Sequence, residues 1–291
     1  MPTSLVTVRS LVDRTFTLLR AHPIFALPVL AADLIGFAAM HIQHALHQPL
    51  FALIFSNSDS VISTTKSAFV LTPENAPKAA ILTIPLVWGA YFLNVFFYTG
   101  ALLMTCALVR KVSGGESTDL RAALAYAVEN WRRLLRFSIS MFGALIIAVF
   151  VFGYLVTMSM KVTWLAPKVG RDFSYLTVLP LEIAFVYLFT RPALKLLSKT
   201  ETSPSQSSGH TATYFGLITI VTQMVFVFIL EHVAPASLFQ QKTAIGFLAR
   251  EAVVSLIGAS PYIPLFIGLS LLTDSARHAD TVRGLEEAEE A

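Results

Sequence analysis

The stretch from Phe137 to Met158 contains no charged residue, and it restricts the fold more than any other feature of this chain. As an α-helix, a segment of this length spans roughly 33 Å, which matches the hydrocarbon thickness of a bilayer, about 30 Å. A single segment can cross lipid only as a helix, because only a helix pairs all of its own backbone hydrogen-bonding groups. The stretch therefore predicts a transmembrane helix.

Five further runs are apolar enough, or nearly so, for the same prediction. With the first, the predicted spans cover residues 24–45, 80–109, 137–158, 175–190, 214–230 and 253–272. The sequence thus predicts an all-α polytopic membrane bundle of about six transmembrane helices. Residues 1–273 would form a single integral membrane domain and residues 274–291 an acidic soluble tail. Pro261 and Pro264 are expected to bend the last span.

The low content of charged residues agrees with a surface that mostly faces lipid. Charged residues make up 13% of the chain, whereas soluble domains average about 25%. The single cysteine, Cys106, excludes an intramolecular disulfide. These features predict a membrane protein and exclude a soluble enzyme.

The distribution of Lys and Arg predicts the orientation. With six spans and a cytoplasmic N-terminus, the cytoplasmic segments hold 14 of the 21 Lys and Arg residues. Because positive residues are enriched on the cytoplasmic side, both termini are predicted to be cytoplasmic. The expected location is a bacterial inner membrane.

Two segments have the apolar spacing of amphipathic helices rather than of spans. One covers residues 120–135, with Thr118 expected to cap its N-terminus; the other is the N-terminal segment. The predicted apolar stripes are Leu120, Leu124, Ala127, Val128, Trp131, Leu134 and Leu135 in the first, and Leu5, Val8, Val12, Phe16 and Leu19 in the second. Such helices either lie in the headgroup plane or extend the next span and pack on its neighbours.

Trp131, Arg132, Arg133 and Arg136 are the candidate contacts to lipid headgroups. Arginine is attracted to anionic lipid, and tryptophan is enriched at the membrane surface. The expected partners are therefore the bilayer and its anionic headgroups, and nucleic acid is not expected. The oligomeric state is not predicted.

Three polar residues inside the apolar runs form the candidate intramembrane site: Glu182, Asp33 and Asn94. Ionisable residues within spans are costly, and many of them are functional. Each acid is either a proton-carrying or cation-binding group, or a hydrogen-bonded carboxyl that stabilises helix packing. Asn94 is a natural hydrogen-bond partner for either acid.

His41, His44 and His47 recur every three residues, a spacing that suits metal ligation weakly. No acid or cysteine lies close in sequence to complete such a site, so histidines at the outer end of the first helix are the favoured interpretation. No cofactor is expected. Hydrolase, metalloprotease and phosphate-loop motifs are absent from the sequence.

A family resemblance rests on the segment Asn130-Trp131-Arg132-Arg133-Leu134-Leu135. Here a basic amphipathic helix ends in an aromatic, Arg-rich turn before a spanning pair, and the unit repeats. This layout resembles the YciC-type bacterial membrane proteins and the membrane domain associated with glycerophosphodiester phosphodiesterases. The resemblance implies six helices and an inner-membrane location, and it implies no catalytic residue.

Three functions remain open on the sequence. The favoured one is a non-catalytic membrane scaffold that interacts with lipid or partner proteins. The second is a small-solute or ion transporter that uses Glu182 and Asp33, since polar midplane groups and bent helices are typical of transport sites. The third is an intramembrane lipid-modifying enzyme, which the lack of a paired nucleophile and base disfavours.

The transport hypothesis makes a direct prediction about Glu182. If the protein transports a solute, Glu182→Gln should abolish pH-dependent flux in proteoliposomes, because the amide cannot carry a proton. The measurement is solute uptake by the parent and the variant. A parent protein without flux would end the hypothesis for the solutes tried.

Overall fold

The computed structural model describes residues 8–55, 76–161, 188–198, 209–219, 221–222, 252–253 and 255–289. This part of the chain is helical throughout and contains no β-strand. The helices are α1 (Val8–Ala21), α2 (Leu27–Phe55), α3 (Ala76–Ser113), α4 (Leu120–Glu129), α5 (Trp131–Lys161) and α8 (Tyr262–Glu289), with a 3₁₀ turn at Pro23–Ala26 before α2. Two shorter helical stretches, α6 (188–197) and α7 (209–219), lie between α5 and α8.

Three segments among the described residues are long and apolar enough to cross a membrane: Pro23–Gln43, Pro85–Ser113 and Ser255–Ser275. They correspond to the first, second and sixth predicted spans. The third predicted span lies in α5, although several of its side chains are outside the described residues. Most of the fourth and fifth predicted spans, 175–190 and 214–230, are outside them as well. The protein is thus all-helical, with helices suited to a membrane.

Several large apolar side chains on the described helices are exposed over much of their surface. Ile42, Ile147 and Phe150 are each at least 60% exposed. Apolar groups of this size are unfavourable in water, and a hydrocarbon surrounding removes the cost. The exposed residues therefore agree with helices that face lipid.

Helices α2 and α3 run antiparallel and share an extensive interface. Asp33 on α2 meets Tyr98 on α3, and Gly36, one turn later on α2, meets Asn94, one turn earlier on α3. A Cβ atom at Gly36 would lie 2.5 Å from the Asn94 Oδ1 atom, so the glycine permits the close approach of the two helices. We call this line of contacts the α2–α3 seam.

Helix α8 runs parallel to α3, and a turn at Ser260 and Pro261 separates it from the helical segment 255–259. Pro261 has no N–H to continue the helix. The Ser260 N–H and hydroxyl both donate to the Ile257 carbonyl, which satisfies that oxygen at the break. The predicted bend of the last span is thus a turn at Pro261.

Helix α8 continues to Glu289 without a break at residue 273, and Asp274 is buried. The membrane domain and the predicted acidic tail are therefore joined by one continuous helix. Asp274, the first residue of the predicted tail, has a buried side chain.

The packing of α1 differs from its predicted stripe by about one position. Leu11 and Thr15 are its buried residues, whereas Phe16 is 47% exposed. The helix packs against α8 and the 3₁₀ turn, so its orientation follows the available neighbours rather than hydrophobicity alone.

The predicted amphipathic helix 120–135 is wrong in its extent. Helix α4 ends at Glu129, and α5 begins at Trp131, because Asn130 has a non-helical backbone and its side chain donates to the Tyr126 carbonyl. The N-cap is Asp119, whose carboxylate accepts from the Arg121 N–H, and not Thr118.

The residues of this segment divide between two environments. The small residues Ala123 and Ala127 are buried and allow α4 to approach α3, while the larger Leu124 and Val128 point outward and are 52% and 61% exposed. Helix α4 thus presents an exposed apolar face that no described helix covers.

Gly268 provides a test of the packing between α7 and α8. A Cβ atom there would overlap the buried ring of Phe215. Gly268→Ala should lower the free energy of unfolding by roughly 1–3 kcal/mol through overpacking. The measurement is thermal or denaturant-induced unfolding in detergent.

Gly143→Ala is the matched control, because a Cβ atom at Gly143 meets nothing within 4 Å. Since alanine favours helix more than glycine does, this variant should be as stable as the parent or more so. Equal destabilisation by the two variants would contradict the packing described.

Candidate intramembrane polar site and basic surface

Asp33 is buried in α2 and accepts two hydrogen bonds from different helices. The Tyr98 hydroxyl donates to its Oδ1 atom at 2.9 Å, and the Ser255 hydroxyl donates to its Oδ2 atom at 2.8 Å. Both carboxylate oxygens therefore act as acceptors. Three parts of the chain, α2, α3 and the segment 255–259, meet at this one side chain.

Aromatic rings close the site toward α8. The Tyr98 ring contacts Tyr262 edge-to-face at 5.3 Å between centroids, and it also contacts Phe266. Because the turn at Pro261 separates Ser255 from Tyr262, the two residues approach Asp33 and Tyr98 from separate helical pieces. Apolar rings next to a carboxylate limit its access to water and strengthen its hydrogen bonds.

Asn94 lies on the α2–α3 seam one turn from Tyr98, but it is not a partner of Asp33. Its Oδ1 atom is buried and accepts no hydrogen bond from the described part of the chain. The expectation that Asn94 bonds to an acid is therefore unmet for Asp33. Glu182, the other predicted acid, lies outside the described residues.

Sequence reasoning missed Tyr98 and Ser255, the actual partners of Asp33. Tyr98 had a usable signal, since it follows Asn94 by four residues in the same apolar run and so lies on the same helix face. Ser255 had none, because it is 222 residues from Asp33 along the chain and only the folded bundle joins them.

At the other predicted site, Trp131, Arg132, Arg133 and Arg136 are all exposed, at and just after the start of α5. The Arg132 guanidinium lies 5.6 Å from the centre of the Trp131 ring, a cation–π distance. We define these four residues, with the outward-facing Leu124 and Val128 of α4, as the basic–aromatic surface. It combines three guanidinium groups with an apolar patch.

Arg110 at the end of α3 holds α4 in place. Its Nη1 atom donates to the Tyr126 hydroxyl at 2.9 Å, and its Nη2 atom donates to the Leu197 carbonyl at 2.6 Å. Its charge also interacts with that of the buried Asp274. Leu197 is the last residue of α6. The Arg110 guanidinium therefore links α3, α4, α6 and α8 within the bundle.

The histidine triplet lies in α2, but only the side chain of His41 is described. Its Nδ1 atom is 3.0 Å from the Phe37 carbonyl oxygen, and its ring packs on the Phe37 ring. Within the described residues, no group of three or more His, Cys, Asp or Glu side chains is placed to hold a metal ion. His44 and His47 have side chains outside that description.

Comparisons with protein-family models, with curated proteins and with solved structures find no match for this chain. The resemblance to YciC-type proteins therefore stays a prediction. Function has to be argued from the geometry of the two sites.

Tyr98→Phe tests the hydrogen bond to Asp33. Loss of the hydroxyl leaves Oδ1 without a donor in a buried setting, which should lower the free energy of unfolding by about 1–3 kcal/mol. The measurement is unfolding in detergent. The control is Tyr91→Phe on the same helix, where the exposed ring should tolerate the change; a Tyr98 variant as stable as this control would show that the bond contributes nothing.

Proposed function

We propose that this protein is a non-catalytic membrane module of six transmembrane helices that binds anionic lipid headgroups at the cytoplasmic face of a bacterial inner membrane. One observation carries the proposal. The basic–aromatic surface presents three exposed guanidinium groups, one of which lies 5.6 Å from the exposed Trp131 ring, next in sequence to the exposed apolar side chains at the end of α4. Exposed apolar side chains are unfavourable in water. At the boundary between headgroups and acyl chains, the apolar side chains contact hydrocarbon while the guanidinium groups contact headgroups.

The contrast with Arg110 supports lipid as the partner. Arg110 directs two of its donors to protein groups, while Arg132, Arg133 and Arg136 are exposed. Arginine pairs well with phosphate because its guanidinium presents several N–H groups in one plane. Trp131 and Val128 supply the apolar anchor that a purely electrostatic contact lacks.

The position of the basic residues supports the orientation. Helices α2 and α3 are antiparallel, and α3 and α8 are parallel, so the start of α2 and the ends of α3 and α8 lie at one end of the bundle. Helices α1 and α4, with their exposed arginines, join that end. Enrichment of positive charge at one end is typical of the cytoplasmic side.

Transport through Asp33 is the second candidate function. It is favoured by the interrupted helix at Pro261, whose first half supplies Ser255 to a buried intramembrane carboxylate. Discontinuous helices of this kind carry substrate and ion sites in many transporters. Lipid binding remains the stronger proposal, because its residues are exposed to the ligand as they stand.

Replacement of Arg132, Arg133 and Arg136 by Gln together tests the proposal. Each arginine near an anionic surface contributes about 1 kcal/mol, so the triple variant should bind phosphatidylglycerol roughly 100-fold more weakly. Native mass spectrometry of the full-length protein, titrated with phosphatidylglycerol or phosphatidylcholine, measures the difference.

A second triple variant, with Arg9, Arg14 and Arg20 of α1 replaced by Gln, is the matched control. It removes the same charge from exposed positions at the same end of the bundle. The proposal expects this variant to keep most of its affinity. Equal losses in the two triple variants would contradict a local binding surface, and so would a parent protein that prefers neither lipid.

A further inference from the structure

Asp33 has no cationic partner among the residues that the structure describes. The ion pair between Lys111 and Glu116 lies at the end of α3, far along the helix from Tyr98. The hydrogen bonds that Asp33 accepts from the described residues come from hydroxyl groups. An ionised carboxylate within the span of a membrane is costly unless a positive charge neutralises it.

Both oxygens of Asp33 lie within hydrogen-bond distance of a hydroxyl group. The Tyr98 hydroxyl is 2.9 Å from Oδ1, and the Ser255 hydroxyl is 2.8 Å from Oδ2. The hydroxyl oxygens of Tyr98 and Ser255 keep lone pairs while they donate. The carboxylate is therefore surrounded by further oxygen atoms that are able to coordinate a cation.

Asn94 adds a buried oxygen atom on the same helix as Tyr98. Its Oδ1 atom is buried without a described partner, on the seam one helical turn, about 5 Å, from the level of Tyr98. The backbone of Gly36 approaches this amide so closely that a side chain at position 36 would displace it. A buried, unpaired acceptor costs free energy, and a bound cation would remove that cost.

The composition of the cluster indicates the class of ligand. Oxygen ligands without nitrogen or sulfur suit hard cations. One carboxylate among neutral oxygens balances one positive charge, which disfavours a divalent ion. Ser255 and Tyr262 lie seven residues apart, on either side of the turn at Pro261, and both face the Asp33–Tyr98 pair.

We propose that Asp33, Tyr98, Ser255 and Asn94 form a binding site for a sodium ion within the membrane domain. Asp33 supplies the negative charge, and the other three residues supply neutral oxygen ligands. The site depends neither on lipid binding nor on transport, because an ion that stays bound would stabilise the junction of α2, α3 and the segment 255–259. Its occupancy holds Ser255, and with it the piece of helix before the turn, against α2.

Binding of radioactive Na⁺ to the purified full-length protein in detergent tests this site directly, with choline replacing Na⁺ at constant ionic strength. The parent should bind one Na⁺ per chain in a saturable manner. Asp33→Asn keeps the shape of the side chain but removes the charge, and it should abolish binding. Asp13→Asn, at an exposed acid on α1, is the control and should bind as the parent does.

Ser255→Ala keeps the charge and guards against a folding defect in the Asp33 variant. Loss of one oxygen ligand at a charged site should weaken Na⁺ binding by about 10-fold. Na⁺ should also raise the unfolding temperature of the parent relative to choline. A parent that binds no Na⁺, as expected if a proton alone neutralises Asp33, overturns the proposal, and unchanged affinity in Ser255→Ala overturns the assigned ligand set.

The triple variant of Arg132, Arg133 and Arg136 separates this proposal from the lipid-binding function. It should bind Na⁺ as the parent does, because these residues lie at the end of the bundle and contact no member of the cluster in the described structure. Loss of Na⁺ binding in that variant would refute an independent site. Loss of lipid binding alone leaves the sodium site standing.

Discussion

Hydrocarbon offers no hydrogen bonds, so each polar group that this chain carries into the membrane has to be satisfied by the protein itself. Asp33 shows how strongly this constraint acts. Its two oxygens take hydroxyl donors from α3 and from the segment before α8, and the three pieces of chain are brought together as a result. The turn at Pro261 lies between the segment that supplies Ser255 and helix α8, which packs on α3.

The same constraint divides the arginines of the basic end into two groups. Arg110 lies in the packed part of the bundle. Its Nη1 and Nη2 atoms donate to the Tyr126 hydroxyl and to the Leu197 carbonyl. That carbonyl belongs to the last turn of α6, where it has no partner within the helix and where positive charge is favoured. By securing α4 in this way, Arg110 leaves the outward face of α4 and the start of α5 exposed. The position in which Arg110 holds α4 thus leaves Arg132, Arg133 and Arg136 exposed.

Much of the fold could be predicted from local sequence, because hydropathy and helix length are local properties. The spans around Pro23–Gln43, Pro85–Ser113 and Ser255–Ser275 and the bend at Pro261 were accessible in this way. The rotation of α4 was not, since it depends on Ala123 and Ala127 approaching α3 while larger residues turn outward. The end of α4 was missed because Asn130 caps it with a side chain that also fits a continuing helix.

For the candidate sites too, features that depend on neighbouring residues in the sequence could be predicted, whereas tertiary contacts could not. The exposure of Trp131 and its arginines could be predicted, because the bilayer surface selects such residues by type. Asp33 could be predicted as unusual, since an acid in an apolar run is rare. The hydrogen-bond partners of Asp33 could not be predicted. Ser255 is distant in sequence and reaches Asp33 only in the tertiary fold. Asn94, the predicted partner, lies one helical turn away, against Gly36.

Distances along the helices relate the two sites to the membrane. From Tyr98 to Arg110 on α3 there are 12 residues, about 18 Å, and from Trp88 to Tyr98 there are 10, about 15 Å. Trp88 stacks with Phe150 of α5, which lies 19 residues, about 28 Å, from Trp131. Two aromatic levels are therefore separated by about the thickness of a hydrocarbon core, roughly 30 Å.

The level of Tyr98 and Asp33 falls near the middle, where water is scarcest and an uncompensated carboxylate is most costly. This depth agrees with the two hydroxyl contacts of Asp33, while the exposed arginines lie at the level of Trp131.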